Sequence, residues 1–418
     1  MRRRWLAGVF AVSVGWAVLV AVFSSDSVHR LWGVMAACGY GLALLAVFVV
    51  RSARASDLAL GLSFAGALLA PLTWMAAKGL EQPEVWVVAR SGWMLIHHGT
   101  PYTSAAALAA TQNPNAYNPY LPVMALFGVP RALFDLGLLT DPRVWFGVVF
   151  LIVFWLALRR GGALDPGRWT ILVAGSPVIA FELAVGGTDV PMVGFLCLGF
   201  ALLYHKGRAT SVNFAVLAGL ALGIASAMKA TAWPALVVAA VLIGVRDGRK
   251  AAWAFAGTAL GVVVVCVGPF FVLHPKSLFD NTIKFPLGLA SIQSQASSPL
   301  LGHIIASSWH GGGHTVVVVL LALAAVAVGL SLVFRPPRSV TRAVMLLAGA
   351  MTLMFLLAPS TRFGYFIYPA TLAIWLFAVR AGRMDAVESD GPASQDPDEP
   401  AASSRTTVPT IPAERPAG

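Results

Sequence analysis

Runs of about twenty apolar residues recur along the chain and are separated by short basic clusters. "VVVVLLALAAVAVGLSLVF", followed at once by "RPPRSVTR", is the plainest case. Runs of that length match the thickness of a bilayer, and in hydrocarbon only helices and closed barrels satisfy their own backbone groups. The chain therefore reads as an all-α polytopic membrane protein. Composition agrees: the 418 residues are 58% hydrophobic and 11% charged, against roughly 25% charged residues in soluble domains. The formal charge of +11 is spread in ones to threes between apolar runs. That is a topology signal and not a nucleic-acid surface, so no nucleic-acid partner is expected. Cys38, Cys197 and Cys266 lie inside apolar segments without metal-ligand spacing and read as packing residues.

Hydropathy places about twelve transmembrane helices, near 5–23, 31–50, 57–77, 144–158, 169–186, 190–204, 213–230, 232–245, 251–273, 314–334, 343–358 and 363–379. The first, after Arg2, Arg3 and Arg4, reads as an anchor and not as a cleaved signal peptide. With those arginines inside, "RSARAS", "RRGGALDPGR", "YHKGR", "RDGRK", "RPPRSVTR" and "RAGR" all fall on the cytoplasmic side, as the positive-inside rule requires. The plasma membrane is the expected location, with both termini cytoplasmic. Residues 1–78 then hold three N-terminal helices and 79–143 form an extracytoplasmic loop. The bundle occupies 144–383, with a second outer loop at about 274–313, and 384–418 form a disordered cytoplasmic tail. Within the first outer loop, "YLPVMALFGVPRALF" (120–134) reads as a re-entrant or surface-lying helix.

Few polar groups face the outer side, which shortens the list of candidates. Pro83 suits the first turn of a helix over "EVWVVARSGWMLIHH". Val85, Val88, Gly92 and Leu95 or Ile96 form its apolar side, and Glu84, Ser91 and His98 recur every seven residues on another. In "FELAVGGTDVPMVG", Glu182 lies inside an apolar helix and Asp189 at its outer end. Ionisable groups in spans face the bundle interior or a polar cavity, and Lys229 is the natural partner. Lys276, Lys284 and Arg362 are among the few outer cations, suited to a phosphate or to lipid headgroups. "HGGGH" (310–314) has no rigid spacing and no third ligand, so no metal site is expected. Walker, dinucleotide and hydrolase-elbow motifs are absent from the sequence.

"HGTPY" followed by "AYNPYLPVMALFGVPRALF" resembles the Gly-Pro-Tyr and Tyr-Pro pattern of glycosyltransferase family 87. "GGTDVPMVGFLCLGFALLYHKGR", "AGLALGIASAMKATAWPALVV" and "LAPSTRFGYFIYPATLAIW" are similar to later segments of the family, in order over about 80–380. The resemblance implies a C-type membrane glycosyltransferase fold and an actinobacterial polyprenyl-phosphate-mannose-dependent α-mannosyltransferase. It also implies an acidic general base in the first outer loop, a position that lands on Glu84. Asp is usual there, and two extra spans precede the loop. Glu84 thus stands as a variant base, with Asp189 as the alternative base and loss of activity as a third reading.

The implied substrates are a polyprenyl-phosphate sugar donor, with mannose the sugar, and a glycolipid or cell-envelope glycan acceptor. A lipid-linked donor explains the missing nucleotide motifs. Lys229, Arg362 and Lys284 would meet the leaving phosphate, while His98, Tyr102, Tyr117 and Tyr120 would contact the sugar or anchor the loop. No cofactor is called for, although a divalent cation is compatible with the chemistry. A secondary transporter or lipid flippase and a non-catalytic member of the fold are the competing readings. Transporters favour repeated halves, and no internal repeat is visible.

Overall fold

The computed structural model describes residues 3–204, 211–290, 292, 296–309 and 311–389. Arg2, His310, most of the "YHKGR" loop and residues 390–418 of the expected tail lie outside it. The described residues form helices and one isolated bridge, between Ser297 and Thr361, and no strand. This is an all-α fold with many membrane-spanning helices.

Among the described residues, eight helices are long and apolar enough to cross a bilayer: Arg3–Phe23, Ser27–Val49, Ala55–Ala77, Pro142–Gly161, Arg249–Leu273, Gly313–Phe334, Val340–Leu357 and Phe363–Gly382. The other four expected spans are a bent pair and three shorter apolar helices. The single span expected over 169–186 is broken into Pro166–Ala174 and Pro177–Val185, which meet at 57°. Pro177 cannot continue the first helix because it lacks an N–H and its ring crowds the preceding turn. Val190–Leu202, Val212–Met228 and Ala230–Arg246 are shorter than a full span. The first two are buried on most faces, packed between Pro142–Gly161 and Arg249–Leu273. Helices enclosed by protein need not match the bilayer thickness. At the periphery, Arg249–Leu273 and Gly313–Phe334 leave most of their Val, Leu and Phe side chains exposed, which suits lipid contact.

The first long loop is folded and not extended. Pro83–His98 begins with Pro83 in its first turn and stops at Gly99, whose φ of 67° is left-handed. Its buried face carries Val85, Val87, Val88, Ser91 and Gly92. Ser91 therefore sits on the packed side, against the sequence reading, and its hydroxyl donates to the Val87 carbonyl at 2.6 Å. Gly92 and Gly128 of the 122–134 segment let the two elements meet: a Cβ on Gly92 would strike the Gly128 backbone, and one on Gly128 the Val88 carbonyl. That segment is not one helix: it divides into Pro122–Ala125, a 3-10 turn, and Val129–Phe134.

The entry to the Glu84 helix is fixed from below. Arg143, fully buried, makes a bidentate pair with Asp141 at 2.8 and 2.9 Å and donates to the carbonyls of Leu80 and Ala184. The Gln82 N–H donates to the Val185 carbonyl at 2.9 Å. Glu81 closes this network 3.6 Å from Arg143. Burial raises the Glu81 pKa, although Arg143 opposes the shift.

Candidate active site

The first loop, the second loop and the segments around Lys229 and Arg362 enclose a cavity of about 250 Å³. Glu84, Tyr117, Tyr120, Lys229 and Arg362 all line it. Asn115, Thr231 and Ser360 add polar groups to the wall, and Phe285, Met354 and Phe355 add apolar ones.

Each charged group has a local reason for its position. Glu84 occupies the first turn of its helix, where a carboxylate complements the helix dipole. Its Oε1 pairs with Arg362, while its buried Oε2 has no hydrogen-bond partner among the described residues. Arg362 sits in the extended link after Val340–Leu357, and the second loop straps that link in place. Thr361 N–H donates to the Ala296 carbonyl, Ser298 N–H to the Thr361 carbonyl, and Phe363 N–H to the Ser298 hydroxyl. Burial works against the Arg362 charge, but Glu84 and the neighbouring tyrosines hold its pKa above the usual arginine value.

Lys229 follows Val212–Met228 as an extended residue with φ −159°. Its Nζ donates to Asp189 Oδ1 at 2.7 Å, and the same oxygen accepts from the Tyr368 hydroxyl at 2.8 Å. Tyr368 is braced in turn by Thr231 at 2.8 Å. The ammonium also lies over the Tyr120 and Tyr365 rings, 5.6 and 4.8 Å from their centroids. Burial works most strongly against the Lys229 charge, but the Asp189 charge and hydrogen bond, with Tyr365 and Glu84, together hold its pKa above the usual lysine value. Asp189 itself is outside the cavity wall. It is Asp189, not Glu182, that partners Lys229.

The remaining expected residues divide. Tyr120 is buried, and burial pushes its hydroxyl pKa well up, so it stays neutral. Tyr102 lies behind the wall and donates to the Tyr120 carbonyl at 3.0 Å. Tyr117 stacks on Phe285 of the second loop at 4.5 Å and 8°. Lys284 pairs with Asp280 at 2.7 Å, is 42% exposed, and does not line the cavity. His98 is exposed beside Trp93 and is also outside the wall.

The sequence reading missed the groups that join the two loops. Asn281, fully buried, accepts from the Asn118 N–H at 2.7 Å and donates to the Thr103 carbonyl at 3.1 Å. Within the first loop, Arg90 donates to the carbonyls of Asn115 and Ala116 at 2.8 and 2.9 Å. Burial lowers its pKa to about 10. Among the described residues, no three His, Cys, Asp or Glu side chains gather in a metal-binding arrangement.

The glycosyltransferase family 87 model matches residues 118–359. No curated protein matches the chain. A solved structure, ArnT from Cupriavidus metallidurans in the apo state, is similar at 17% identity and a TM-score of 0.45, over 79% of this chain and 60% of that one. The chain thus spans about 60% of the length of that structure, and a likeness this distant carries no argument about chemistry. The family match covers more than half of the sequence and includes Lys229 and the segments that form most of the cavity wall, so the chain belongs to glycosyltransferase family 87.

Proposed function

We propose that this membrane glycosyltransferase moves a sugar, mannose, from a polyprenyl-phosphate donor to a hydroxyl of a glycolipid or cell-envelope glycan at the outer face of the plasma membrane. One observation carries the reading: a carboxylate and two cations of different character converge on one cavity that also has an apolar wall. The apolar wall suits a prenyl chain, and Lys229 and Arg362 suit the phosphate.

In the proposed reaction, Glu84 Oε2 accepts the proton of the attacking hydroxyl. The hydroxyl oxygen bonds to the anomeric carbon as the bond from that carbon to the phosphate oxygen breaks, with inversion. The electron pair leaves with the polyprenyl phosphate, whose charge Lys229 and Arg362 stabilise. Asp189 holds Lys229 in place and does not serve as the base, because its Oδ1 already receives two donors. Tyr117 and Tyr120 form part of the sugar's surroundings, and His98 and Lys284 stay outside the reaction. No cofactor has a role in this scheme.

The test is transfer of labelled mannose from polyprenyl-phosphate-mannose by membranes containing the protein. Glu84→Gln should abolish it. If that variant keeps full activity while Asp189→Asn loses it, the assignment of the base is wrong.

A further inference from the structure

Tyr365 lines the cavity, and the transfer scheme leaves it without a task. It stands in the 3-10 turn Phe363–Phe366, three residues after Arg362, and its N–H donates to the Arg362 carbonyl at 3.1 Å. Its ring packs on buried Phe355 with centroids 5.3 Å apart, and the Lys229 ammonium lies over it at 4.8 Å. The turn and these two contacts fix the ring between the two cations of the wall.

Tyr368, three residues further on, packs on the same Phe355 at 5.4 Å. Its hydroxyl is fully engaged, donating to Asp189 and meeting Thr231. The Tyr365 hydroxyl, by contrast, has no hydrogen-bond partner among the described residues. Nor is that oxygen enclosed by protein, since Tyr365 is only half-buried and faces the cavity. The phenol also lies within electrostatic reach of both Lys229 and Arg362. Of two tyrosines on one phenylalanine, one is committed to the protein and the other is offered to a ligand.

The charge balance of the wall indicates what that ligand group is. Lys229 and Arg362 are each matched by a carboxylate, Asp189 and Glu84, so these four charges sum to zero. The donor of the proposed reaction is a phosphodiester with one negative charge. Breaking its bond to the anomeric carbon leaves a phosphate monoester that carries a second. A neutral O–H donor beside the cations meets that second charge without adding a permanent one. Its hydrogen bond strengthens as the charge develops, so it favours the transition state over the bound donor.

Resting on the transfer reaction above, we propose that the Tyr365 hydroxyl donates a hydrogen bond to the departing phosphate, as the third member of a clamp with Lys229 and Arg362. The phenol keeps its proton throughout, and the only proton transferred is the one that Glu84 accepts.

The test compares farnesyl phosphate with farnesol as probes, by calorimetry on the purified protein in phosphatidylcholine nanodiscs. The two share a tail and differ by the phosphate. The wild type should prefer farnesyl phosphate. Tyr365→Phe, which removes one oxygen and keeps the ring, should cut that preference about 10- to 100-fold, the worth of a hydrogen bond to a charged group. A ratio taken within one preparation is not lowered by a partly unfolded sample. Tyr40→Phe, which removes a buried hydroxyl outside the cavity wall, should keep the preference. In transfer assays Tyr365→Phe should lose a similar factor in kcat with little change in KM, a split that a purely structural ring would not produce. The proposal is overturned if Tyr365→Phe keeps the preference while Lys229→Gln loses it, an outcome that leaves the phosphate-linked donor standing. No preference in the wild type would overturn both. A preference lost in Tyr365→Phe, without any transfer from polyprenyl-phosphate-mannose, would remove the sugar assignment and support the clamp.

Discussion

Asp189 and Glu84 each hold a cation of the same cavity wall, but in different ways. Asp189 and Lys229 are almost enclosed, at 8% and 11% side-chain exposure, and Tyr368, itself held by Thr231, braces the carboxylate. Glu84 and Arg362 are more open, at 19% and 30%, and one Glu84 oxygen has no donor among the described residues. The first pair has the form of a fixed support and the second that of an exchangeable one. Arg362 can turn to a phosphate while Glu84 takes a proton, whereas Lys229 meets its ligand without leaving Asp189.

The largest expected effect breaks the contrast at the exchangeable end. Glu84→Gln should lower transfer by about 100- to 10,000-fold, the usual worth of a general base, with the fold intact by thermal melting. A loss of folding in place of a loss of rate would show that this pair, too, is a support. Next comes Asp189→Asn, which strands a buried ammonium. Stability should fall by about 3 to 5 kcal/mol, the range for breaking a buried pair, read as a lower melting temperature along with lost transfer. Unchanged melting would mean that the support is not structural. Asn281→Ala should cost less, about 1 to 3 kcal/mol for the buried groups it leaves unpaired. Proteolysis of the first loop would detect that change. His98→Ala and Lys284→Ala should be smallest, within about 0.5 kcal/mol as exposed substitutions, with transfer rates near the wild type. A large loss of transfer in either would bring that side chain back into the site.

Much of this contrast is legible in the sequence. Glu84, Asp189, Lys229 and Arg362 stood out because a polar residue is conspicuous in an apolar chain, and each occupies a helix end or a link. Their pairing was not visible. Glu182 and Asp189 are seven residues apart and equally plausible partners for Lys229, and only the break after Gly186 decides between them. The 57° bend was masked for a related reason: hydropathy averages over a window, and the Gly175–Ser176–Pro177 signal is shorter than that window. Ser91 recurs at seven residues from Glu84 and His98, yet it lies on the packed face, because its hydroxyl bonds within its own helix. Asn118 and Asn281 could not be found at all. Loop asparagines are ordinary, and nothing local marks two that meet across 163 positions.

Those two asparagines, with the Tyr117–Phe285 stack and the Ser298 strap, tie the long loops to one another and to the Arg362 link. A rim tied at several points does not gape. Prising it open from above would strip buried amides of their partners, so a molecule with a long hydrocarbon tail has reason to come in sideways, its tail still dissolved in the surrounding lipid.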